Sequence, residues 1–483
     1  MREASVSLLD GLRAIVGAPH VHADGDLSAW EQDWRRRAHG QAMAVVVPSN
    51  ADEVASVVRT CQQWRSHHPG QALSIVPQGG NTGLVLGSTP DASGTQIVLS
   101  TRRMQRVRDV DADNLTMVAE AGCLLQDAQQ AADARGLLFP LSMASQGSCT
   151  LGGNLASNAG GTQVLRYGTA RELCLGLEVV TAQGEIWHGL SALRKDNTGY
   201  DLRNLYIGSE GTLGIITAAA LKLFPRPATR LTAWACVPDA RAALRLLNLA
   251  RHVLDADLTA FEVMGRFALE LVQRHFPQIH LPPWRDTSYA VLLESSDAEG
   301  AEHAQRRFEQ LLQAAFEADI AQDAVVASNL AQAQAMWQAR ESIPLAQPLE
   351  GLNIKHDISV PISALPAFIE ETDALLQRCH PGVRMVNFGH FGDGNLHYNV
   401  QAPVGSDAAE FLRTQESAIN TMVYDAVARF GGSLSAEHGI GSLKSDLLAR
   451  YKSSVALQSM RAIKLALDPD NLFNPGRVLT LTP

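Results

Sequence analysis

At 483 residues the chain is too long for a single hydrophobic core, so two or three domains are expected. Its 46% hydrophobic and 19% charged residues are typical of a globular protein, and its formal net charge of −10 argues against a nucleic-acid partner. No apolar run is long enough to span a membrane, no secretory leader is recognisable and the six cysteines form no cluster, so we expect a cytoplasmic protein without an iron–sulfur centre.

The first part of the chain is organised around glycine-rich loops. Residues 1–40 are predicted as a helical lead-in, followed by a strand at 45–48 and a helix that begins near Asn50. A second strand at 73–77 runs directly into Gln78-Gly79-Gly80-Asn81-Thr82-Gly83. Glycines let the backbone approach a ligand closely and successive N–H groups bind anions, so this loop is suited to a pyrophosphate.

A second loop, residues 147–161, contains five glycines interleaved with serine, threonine and asparagine. This composition argues against a packed helix or a plain strand, and it favours a ligand that lies against bare backbone. A long irregular loop without a ligand is the alternative. A third glycine-rich segment, residues 206–217, ends in a strand-like run. Neither G-x-G-x-x-G nor the P-loop pattern occurs, so a cofactor would not be held by a Rossmann turn or a P-loop.

The three loops, in this order over residues 40–225, resemble the FAD domain of the para-cresol methylhydroxylase (PCMH) and vanillyl-alcohol oxidase flavoproteins. The resemblance implies a PCMH-type FAD-binding domain of two subdomains. Asn81 stands where some members carry the histidine that binds FAD covalently, which implies non-covalent FAD. The implied cofactor contacts are Pro77, Gly79, Gly80, Asn81, Thr82, Gly83, Leu84, Pro140, Gly147, Ser148, Gly152, Asn154, Ser157, Gly160, Gly161, Glu210, Ile216 and Asn474.

After Phe224-Pro225-Arg226-Pro227 the composition changes, which marks a candidate domain boundary. Strand-like runs at 231–237, 258–264, 289–294 and 353–361 alternate with amphipathic helices at 241–254 and 302–318. This pattern predicts an α+β, ferredoxin-like substrate or cap domain. The expected organisation is a lead-in at 1–40, the FAD-binding domain at 41–226, the cap domain at 227–428, and a C-terminal helical segment at 429–483 that returns to the flavin.

A candidate metal site lies around the turn Gly392-Asp393-Gly394-Asn395, which predicts a hairpin over residues 385–400. The turn would bring His390 and His397 together. Glu437 follows a predicted helix at 408–430, on a loop bounded by glycines. Two histidines and a carboxylate form a catalytic zinc site, or equally the set that binds ferrous iron or manganese. The alternative is a pair of core histidines satisfied by hydrogen bonds.

Here the sequence resembles the FAD-linked D-2-hydroxy-acid dehydrogenases of the same flavoprotein family, most closely the D-2-hydroxyglutarate dehydrogenases. The resemblance implies that Zn²⁺, or Mn²⁺, Fe²⁺ or Co²⁺, binds the three candidate ligands, and that His438 is the general base. Pro344 departs from the family pattern, in which a residue with a side-chain hydroxyl stands about four positions after the arginine. The implied substrate-binding residues are Arg340, Lys355, Asn399 and His390.

The expected function is oxidation of a D-2-hydroxy acid to the 2-oxo acid. The metal would lower the pKa of the substrate hydroxyl, His438 would accept its proton, and hydride would pass to flavin N5. Electrons would then leave to an external protein or quinone. Arg340 and Lys355 favour a dicarboxylate, D-2-hydroxyglutarate first, with D-lactate or glycolate as the alternative. A flavin-binding subunit of a larger complex, a metal-binding module without redox chemistry and a homodimer remain open.

Overall fold

The computed structural model describes residues 2–284 and 286–481, so residues 1, 482 and 483 of the predicted terminal segments lie outside the described residues. In those ranges no helix is both long and apolar enough to cross a membrane. The strands are β1 (Val21–His22), β2 (Ala42–Val46), β3 (Ser74–Gln78), β4 (Gln96–Ser100), β5 (Val107–Asp111), β6 (Thr116–Glu120), β7 (Leu137–Leu138), β8 (Cys174–Val180), β9 (Ile186–Gly189), β10 (Ile215–Lys222), β11 (Phe224–Pro225), β12 (Thr229–Val237), β13 (Leu258–Gly265), β14 (Tyr289–Asp297), β15 (Asp323–Val326), β16 (Asn353–Ile354), β17 (Asp357–Ser359), β18 (Arg384–His390) and β19 (Asn395–Gln401).

The α-helices are α1 (Arg2–Val16), α2 (Ser28–Glu31), α3 (Ala51–His67), α4 (Leu125–Asp133), α5 (Leu151–Ser157), α6 (Val164–Tyr167), α7 (Ala170–Leu173), α8 (Arg203–Tyr206), α9 (Ala240–Leu254), α10 (Arg266–His275), α11 (Ala301–Glu317), α12 (Leu330–Glu341), α13 (Ile343–Glu350), α14 (Leu365–Cys379), α15 (Ala408–Arg429), α16 (Ser445–Tyr451) and α17 (Ser454–Leu467). The long amphipathic helices α9, α11 and α15 begin and end within one residue of their predicted positions. The chain divides into two compact units, which are described in turn.

The first unit comprises the chain up to residue 160, residues 169–225, and the chain from residue 438 onward. One sheet has the order β1-β2-β4-β3, in which β2, β4 and β3 are parallel. A second sheet, β5-β6-β10-β8-β9, is antiparallel, and β7 pairs with β11. Two separate sheets in one unit agree with the predicted two subdomains of a PCMH-type domain. Leu12, Val58, Ile75 and Phe473 meet in one apolar cluster, so the C-terminal segment completes this core.

The glycine-rich segment 147–161 contains helix α5, so the prediction that it could not form a packed helix is wrong. The Thr150 side chain caps α5 by accepting a hydrogen bond from Gly153 N, and Asn158 ends it in the left-handed conformation at φ 52°. Glycine is needed at position 152 because a Cβ there would lie 2.6 Å from the Cβ of Ala121. Close packing, and not a lack of regular structure, therefore accounts for this glycine.

The second unit comprises residues 161–168 and 226–437 and contains one large antiparallel sheet. Its strand order is β15-β12-β14-β13-β18-β19-β16, and β17 also pairs with β19. The hairpin predicted around residues 392–395 is the β18–β19 pair, with Phe388 opposite His397. Because β13 and β16 flank it, the hairpin lies inside the sheet rather than at its edge. An antiparallel sheet with helices is the α+β architecture that the sequence predicts.

The strand predicted at 353–361 is instead two short strands, β16 and β17, separated by Lys355 and His356. The backbone N–H of His356 donates to the side-chain oxygen of Asn399 at 3.0 Å. The His356 ring is buried and lies 2.7 Å from the carbonyl oxygen of Tyr398 through Nδ1 and 2.8 Å from Asn420 Oδ1 through Nε2. These side-chain contacts fix the interruption in place.

Asp373 on α14 gives the second unit a measurable pH dependence. Its Oδ1 accepts a hydrogen bond from the Tyr398 hydroxyl at 2.6 Å, but burial dominates and raises the pKa of Asp373 to about 6. The folded state therefore holds a proton that the unfolded chain releases near pH 4. The contribution of Asp373 to the free energy of unfolding is therefore largest below that pH, and about 1 to 3 kcal/mol of it is lost as the pH rises through about 6.

Asp373→Asn is expected to be more stable than the parent protein by about 1 to 3 kcal/mol at pH 7.5, and nearly equal to it at pH 4.5. The asparagine side-chain oxygen still accepts from the Tyr398 hydroxyl, so the variant removes only the ionisation. Urea unfolding of both proteins at the two pH values measures the difference. Equal differences at both values would contradict the account.

Candidate functional site

A cleft in the first unit collects many of the predicted cofactor residues. The end of β3, the loop after it, helix α5 and the start of β10 form its walls. The predicted residues that line it are Pro77, Gly79, Gly80, Asn81, Thr82, Gly83, Gly152, Asn154, Ser157, Glu210, Ile216 and the predicted base His438. Six further predicted contacts in this unit, Leu84, Pro140, Gly147, Ser148, Gly160 and Asn474, are not among the lining residues, and Gly161 belongs to the second unit.

The glycines of the first loop do different things. A Cβ on Gly79 would lie 2.2 Å from Thr150 Oγ1, and one on Gly80 would lie 2.0 Å from the carbonyl oxygen of Ser148. These two glycines are therefore required where the two loops pack against each other. Around Gly83 no atom of the described residues, beyond its chain neighbours, lies within 4 Å of an added Cβ, although the residue lines the cleft. Gly83 is the position in this loop where a small residue leaves space for a ligand.

Alanine substitutions separate these two roles. Gly80→Ala is expected to destabilise the FAD-free protein by about 1 to 3 kcal/mol, because backbone must move. Gly83→Ala is expected to leave that stability within about 0.5 kcal/mol and to weaken FAD binding about tenfold. Thermal unfolding of the FAD-free proteins and fluorescence titration with FAD provide the two measurements. Unchanged FAD affinity in Gly83→Ala would show that no ligand lies against this residue.

Glu210 connects the cleft to the segment that follows His438. Its carboxylate accepts hydrogen bonds from Ile440 N and Gly441 N, both at 2.7 Å. Its carbonyl oxygen accepts another from Asn474 Nδ2 at 2.8 Å, and its backbone is left-handed at φ 53°. Burial raises the pKa of Glu210 despite the two N–H donors. Glu210 was predicted as a flavin contact. Its carboxylate anchors the chain segment next to His438, the predicted base.

The lining of the cleft fits a flavin nucleotide. Two buried acceptor atoms at or beside it, Thr101 Oγ1 and Asn474 Oδ1, have no hydrogen-bond partner among the described residues, although Asn474 Nδ2 also donates to Gly87 O at 2.8 Å. A ring system with N–H donors would satisfy such atoms. Asn81, at φ 54°, donates to Gln32 O at 2.9 Å. Thr101 was not predicted, since no glycine or charge marks it in the sequence.

The predicted metal ligands of the second unit lie together. His390, His397 and Glu437 each offer a ligand atom, and these atoms lie within 4.8 Å of one another. The two imidazole rings are 5.7 Å apart in an edge-to-face arrangement, and His390 Nε2 is 3.8 Å from Glu437 Oε1. Two nitrogens and a carboxylate at this spacing fit a divalent transition metal, which would draw them closer.

A buried carboxylate that the sequence reasoning missed holds two of the predicted residues. Glu262 Oε1 lies 2.7 Å from His390 Nδ1, and Oε2 accepts from Arg340 Nε at 2.9 Å. Burial raises the pKa of Glu262, but His390 and Arg340 and their hydrogen bonds outweigh it and hold the pKa well below its usual range. Burial lowers the pKa of His390, and the Glu262 and Glu437 carboxylates outweigh it and raise the pKa. The sequence feature that could have pointed to Glu262 is that it is a single acidic residue in an apolar strand.

Asp357 supports the other two ligands and was also missed as a site residue. Its Oδ2 accepts a hydrogen bond from Glu437 N at 3.0 Å, and its Oδ1 lies 3.8 Å from His397 Nδ1. Asn395 Nδ2 donates to the same Oδ1 at 2.9 Å. Carboxylates behind ligating side chains commonly orient them and keep the metal geometry. Asp357 is therefore placed to fix both His397 and the backbone of Glu437.

The predicted substrate residues have different surroundings. Arg340 is buried and its guanidinium lies 4.9 Å above the Phe388 ring. Asn399 is buried too, and its amide donates to Gln347 Oε1 at 2.9 Å while its oxygen accepts from His356 N. These two bonds occupy one donor and one acceptor position of the amide, so about half of its hydrogen-bonding capacity serves the fold. Lys355 lies in the interruption between β16 and β17.

Comparison with known proteins identifies two family domains. The model for "FAD binding domain" matches residues 42–189, and the model for "FAD linked oxidases, C-terminal domain" matches residues 226–478. A D-2-hydroxyglutarate dehydrogenase of Xanthomonas citri pv. viticola is 38% identical over 94% of this chain and 92% of its own length. Proteins of that name from Stutzerimonas stutzeri and, as the mitochondrial enzyme, Bos taurus are 35% and 37% identical, over 98% of this chain and 98% and 83% of theirs.

Solved structures confirm the predicted fold. A p-cresol methylhydroxylase with substrate bound aligns with a TM-score of 0.77 at 16% identity, over 100% of this chain and 98% of that one. An alkyldihydroxyacetonephosphate synthase aligns with a TM-score of 0.72 at 16% identity, over 97% and 84%. The predicted resemblance is confirmed by both comparisons, and the chain belongs to the FAD-linked oxidase family that includes the D-2-hydroxyglutarate dehydrogenases.

Proposed function

We propose that the protein oxidises D-2-hydroxyglutarate to 2-oxoglutarate with non-covalent FAD and a divalent metal, Zn²⁺ first. The observation that carries the proposal is the juxtaposition of His390, His397 and Glu437 in a chain otherwise similar to D-2-hydroxyglutarate dehydrogenases. When bound, FAD would supply a two-electron oxidant and the metal a Lewis acid.

The chain's own residues would bind the acid and move its proton. His390, His397 and Glu437 would hold the metal ion, and Asp357 and Glu262 would keep those ligands in position. His438, on a segment anchored by Glu210, would accept the proton of the substrate's C2 hydroxyl. Histidine suits this task because its imidazole exchanges protons near neutral pH.

The substrate class follows from the cations. Arg340 and Lys355 would bind the carboxylate that is distant from the reacting carbon, with Asn399 orienting the substrate. Arg340 already forms an ion pair with Glu262, which compensates its charge. Arg340 would therefore bind a substrate through hydrogen bonds from its two Nη groups rather than through an unpaired positive charge. This ion pair, and the presence of Pro344 where a hydroxyl residue is expected, both weaken the case for a second substrate carboxylate. D-lactate, which has only one carboxylate, is therefore the second candidate.

Anaerobic mixing of the purified protein with each acid ranks the substrates, because the flavin absorption band bleaches on reduction. D-2-hydroxyglutarate is expected to reduce the flavin with a higher second-order rate constant than D-lactate or glycolate. A preference for D-lactate would replace the first candidate by the second. A yellow protein that no 2-hydroxy acid reduces would point to a flavin-binding subunit of a larger complex.

The proposed acceptor of the two electrons taken from the substrate is an electron-accepting protein or a quinone. Steady-state turnover of D-2-hydroxyglutarate with a soluble quinone, a one-electron dye and oxygen compares the classes of acceptor. We expect turnover with the quinone or the dye to exceed turnover with oxygen. Elemental analysis of the same preparation identifies the metal, and light scattering determines whether the protein is a homodimer.

A further inference from the structure

Glu262 is an isolated acid in an apolar strand. It lies in β13 between Phe261 and Val263, and its side chain is 1% exposed. In the register of the sheet it stands directly opposite His390 of β18. A buried carboxylate is costly unless opposite charges and hydrogen bonds compensate it. The position therefore requires specific partners.

Each carboxylate oxygen of Glu262 has its own partner. Oε1 is 2.7 Å from His390 Nδ1, and Oε2 is 2.9 Å from Arg340 Nε. Phe388, two residues before His390 on β18, lies beneath the Arg340 guanidinium at 4.9 Å. Glu262, His390 and Arg340 thus form one buried cluster, to which β13, β18 and α12 each contribute one side chain.

This arrangement fixes which atoms remain for ligands. A carboxylate at Nδ1 keeps the proton of neutral His390 on that nitrogen, so Nε2, the nitrogen 3.8 Å from Glu437 Oε1, is the atom that would bind a metal. The bond at Nε orients the planar guanidinium of Arg340 and leaves its two Nη groups for an anion.

We propose that Glu262 is a positioning residue that couples the metal site to the substrate-carboxylate site by holding His390 and Arg340 at once. The inference rests on the proposed function. Glutamine at this position would keep the shape but offer one oxygen and one NH₂ group. If its oxygen accepts from Arg340, its NH₂ faces His390 Nδ1 and favours the tautomer that carries hydrogen on Nε2, which cannot bind a metal.

The test compares Glu262→Gln with Glu294→Gln in the FAD-loaded protein. Glu294 is a matched control, since it is a buried acid of neighbouring β14 that also contacts α12, through Trp337 Nε1 at 3.0 Å. Zn²⁺ affinity is measured without substrate by competition with a chromophoric chelator, and FAD content is measured by absorbance. We expect Glu262→Gln to retain FAD and to bind Zn²⁺ about 10- to 100-fold more weakly, and Glu294→Gln to bind it like the parent.

A second readout tests the coupling to Arg340. At saturating Zn²⁺, Glu262→Gln is expected to lose more kcat/KM for D-2-hydroxyglutarate than for D-lactate, which has no distal carboxylate. Parental Zn²⁺ affinity in Glu262→Gln, or an equal loss in Glu294→Gln, would overturn the inference. Equal losses of kcat/KM for the two acids would contradict the proposal that Glu262 couples the metal site to Arg340.

If Glu262→Gln does not fold, Glu262→Asp replaces it. Aspartate keeps the charge but withdraws the carboxylate by one methylene, so weaker Zn²⁺ binding is again expected, and parental affinity would overturn the inference. Measurements on the parent protein separate a failure of the proposed function from a failure of the proposed role of Glu262. A parent that binds no divalent metal or oxidises no 2-hydroxy acid contradicts the proposed function. A parent that does both, with variants that bind Zn²⁺ equally well, contradicts only the role of Glu262.

Discussion

Replacing His438 by alanine is expected to slow flavin reduction by D-2-hydroxyglutarate by about 10² to 10⁴-fold, the usual contribution of a general base. His438 lines the cleft of the first unit, and Glu210 binds the two backbone N–H groups at 440 and 441. The side chain is therefore held on an anchored segment, while the glycine loops that form the rest of the cleft stay intact. FAD content is expected to remain near that of the parent.

Anaerobic stopped-flow absorbance measures the reduction step separately from reoxidation. His67→Ala is a suitable control, because His67 is an exposed histidine of α3 in the same unit. The control is expected to reduce at the parental rate. Parental reduction kinetics in His438→Ala would remove His438 from the mechanism, and loss of FAD would assign it to cofactor binding instead.

Replacing His397 by alanine is expected to abolish stoichiometric metal binding and to lower kcat/KM by about 10³-fold or more, since a Lewis acid contributes several kcal/mol. His397 supplies one of three ligand atoms within 4.8 Å of one another, and its side chain is 15% exposed. Removal of one ligand of three leaves a site that binds divalent ions weakly.

Elemental analysis after gel filtration and the activity of chelator-treated protein provide the measurements. The parent protein is expected to lose activity with the chelator and to regain it when Zn²⁺ or Mn²⁺ is restored, whereas His397→Ala regains little. His252→Ala, at an exposed position of α9 in the same unit, is the control. A full complement of metal in His397→Ala would show that the ion, if present, binds elsewhere.

The features that the sequence predicts well have short-range causes. Helices α9 and α11 follow from apolar spacing, and the β18–β19 hairpin follows from the turn around Gly392 and Gly394. Helix α5 was missed because the prediction rested on the glycine content of the segment, whereas close contact with Ala121 is what requires Gly152.

The features that were missed depend on partners that are distant in the chain. Glu262 contacts Arg340 and His390, which are 78 and 128 residues away, so its neighbours in the sequence mark an acid in an apolar strand but not its partners. The interruption of the strand predicted at 353–361 depends in the same way on Asn399, 43 residues beyond His356. Side-chain hydrogen bonds between distant segments decide these local structures, and a single sequence does not reveal them.

In the proposed reaction, FAD and a divalent metal are both required for the oxidation of D-2-hydroxyglutarate. Anaerobic mixing of metal-loaded protein with the D and L forms of the acid tests it directly. We expect that the D form bleaches the flavin, that the L form does not, and that bleaching is lost with a chelator and restored by the metal. Equal bleaching in the metal-free protein, or none in the metal-loaded protein, would contradict it.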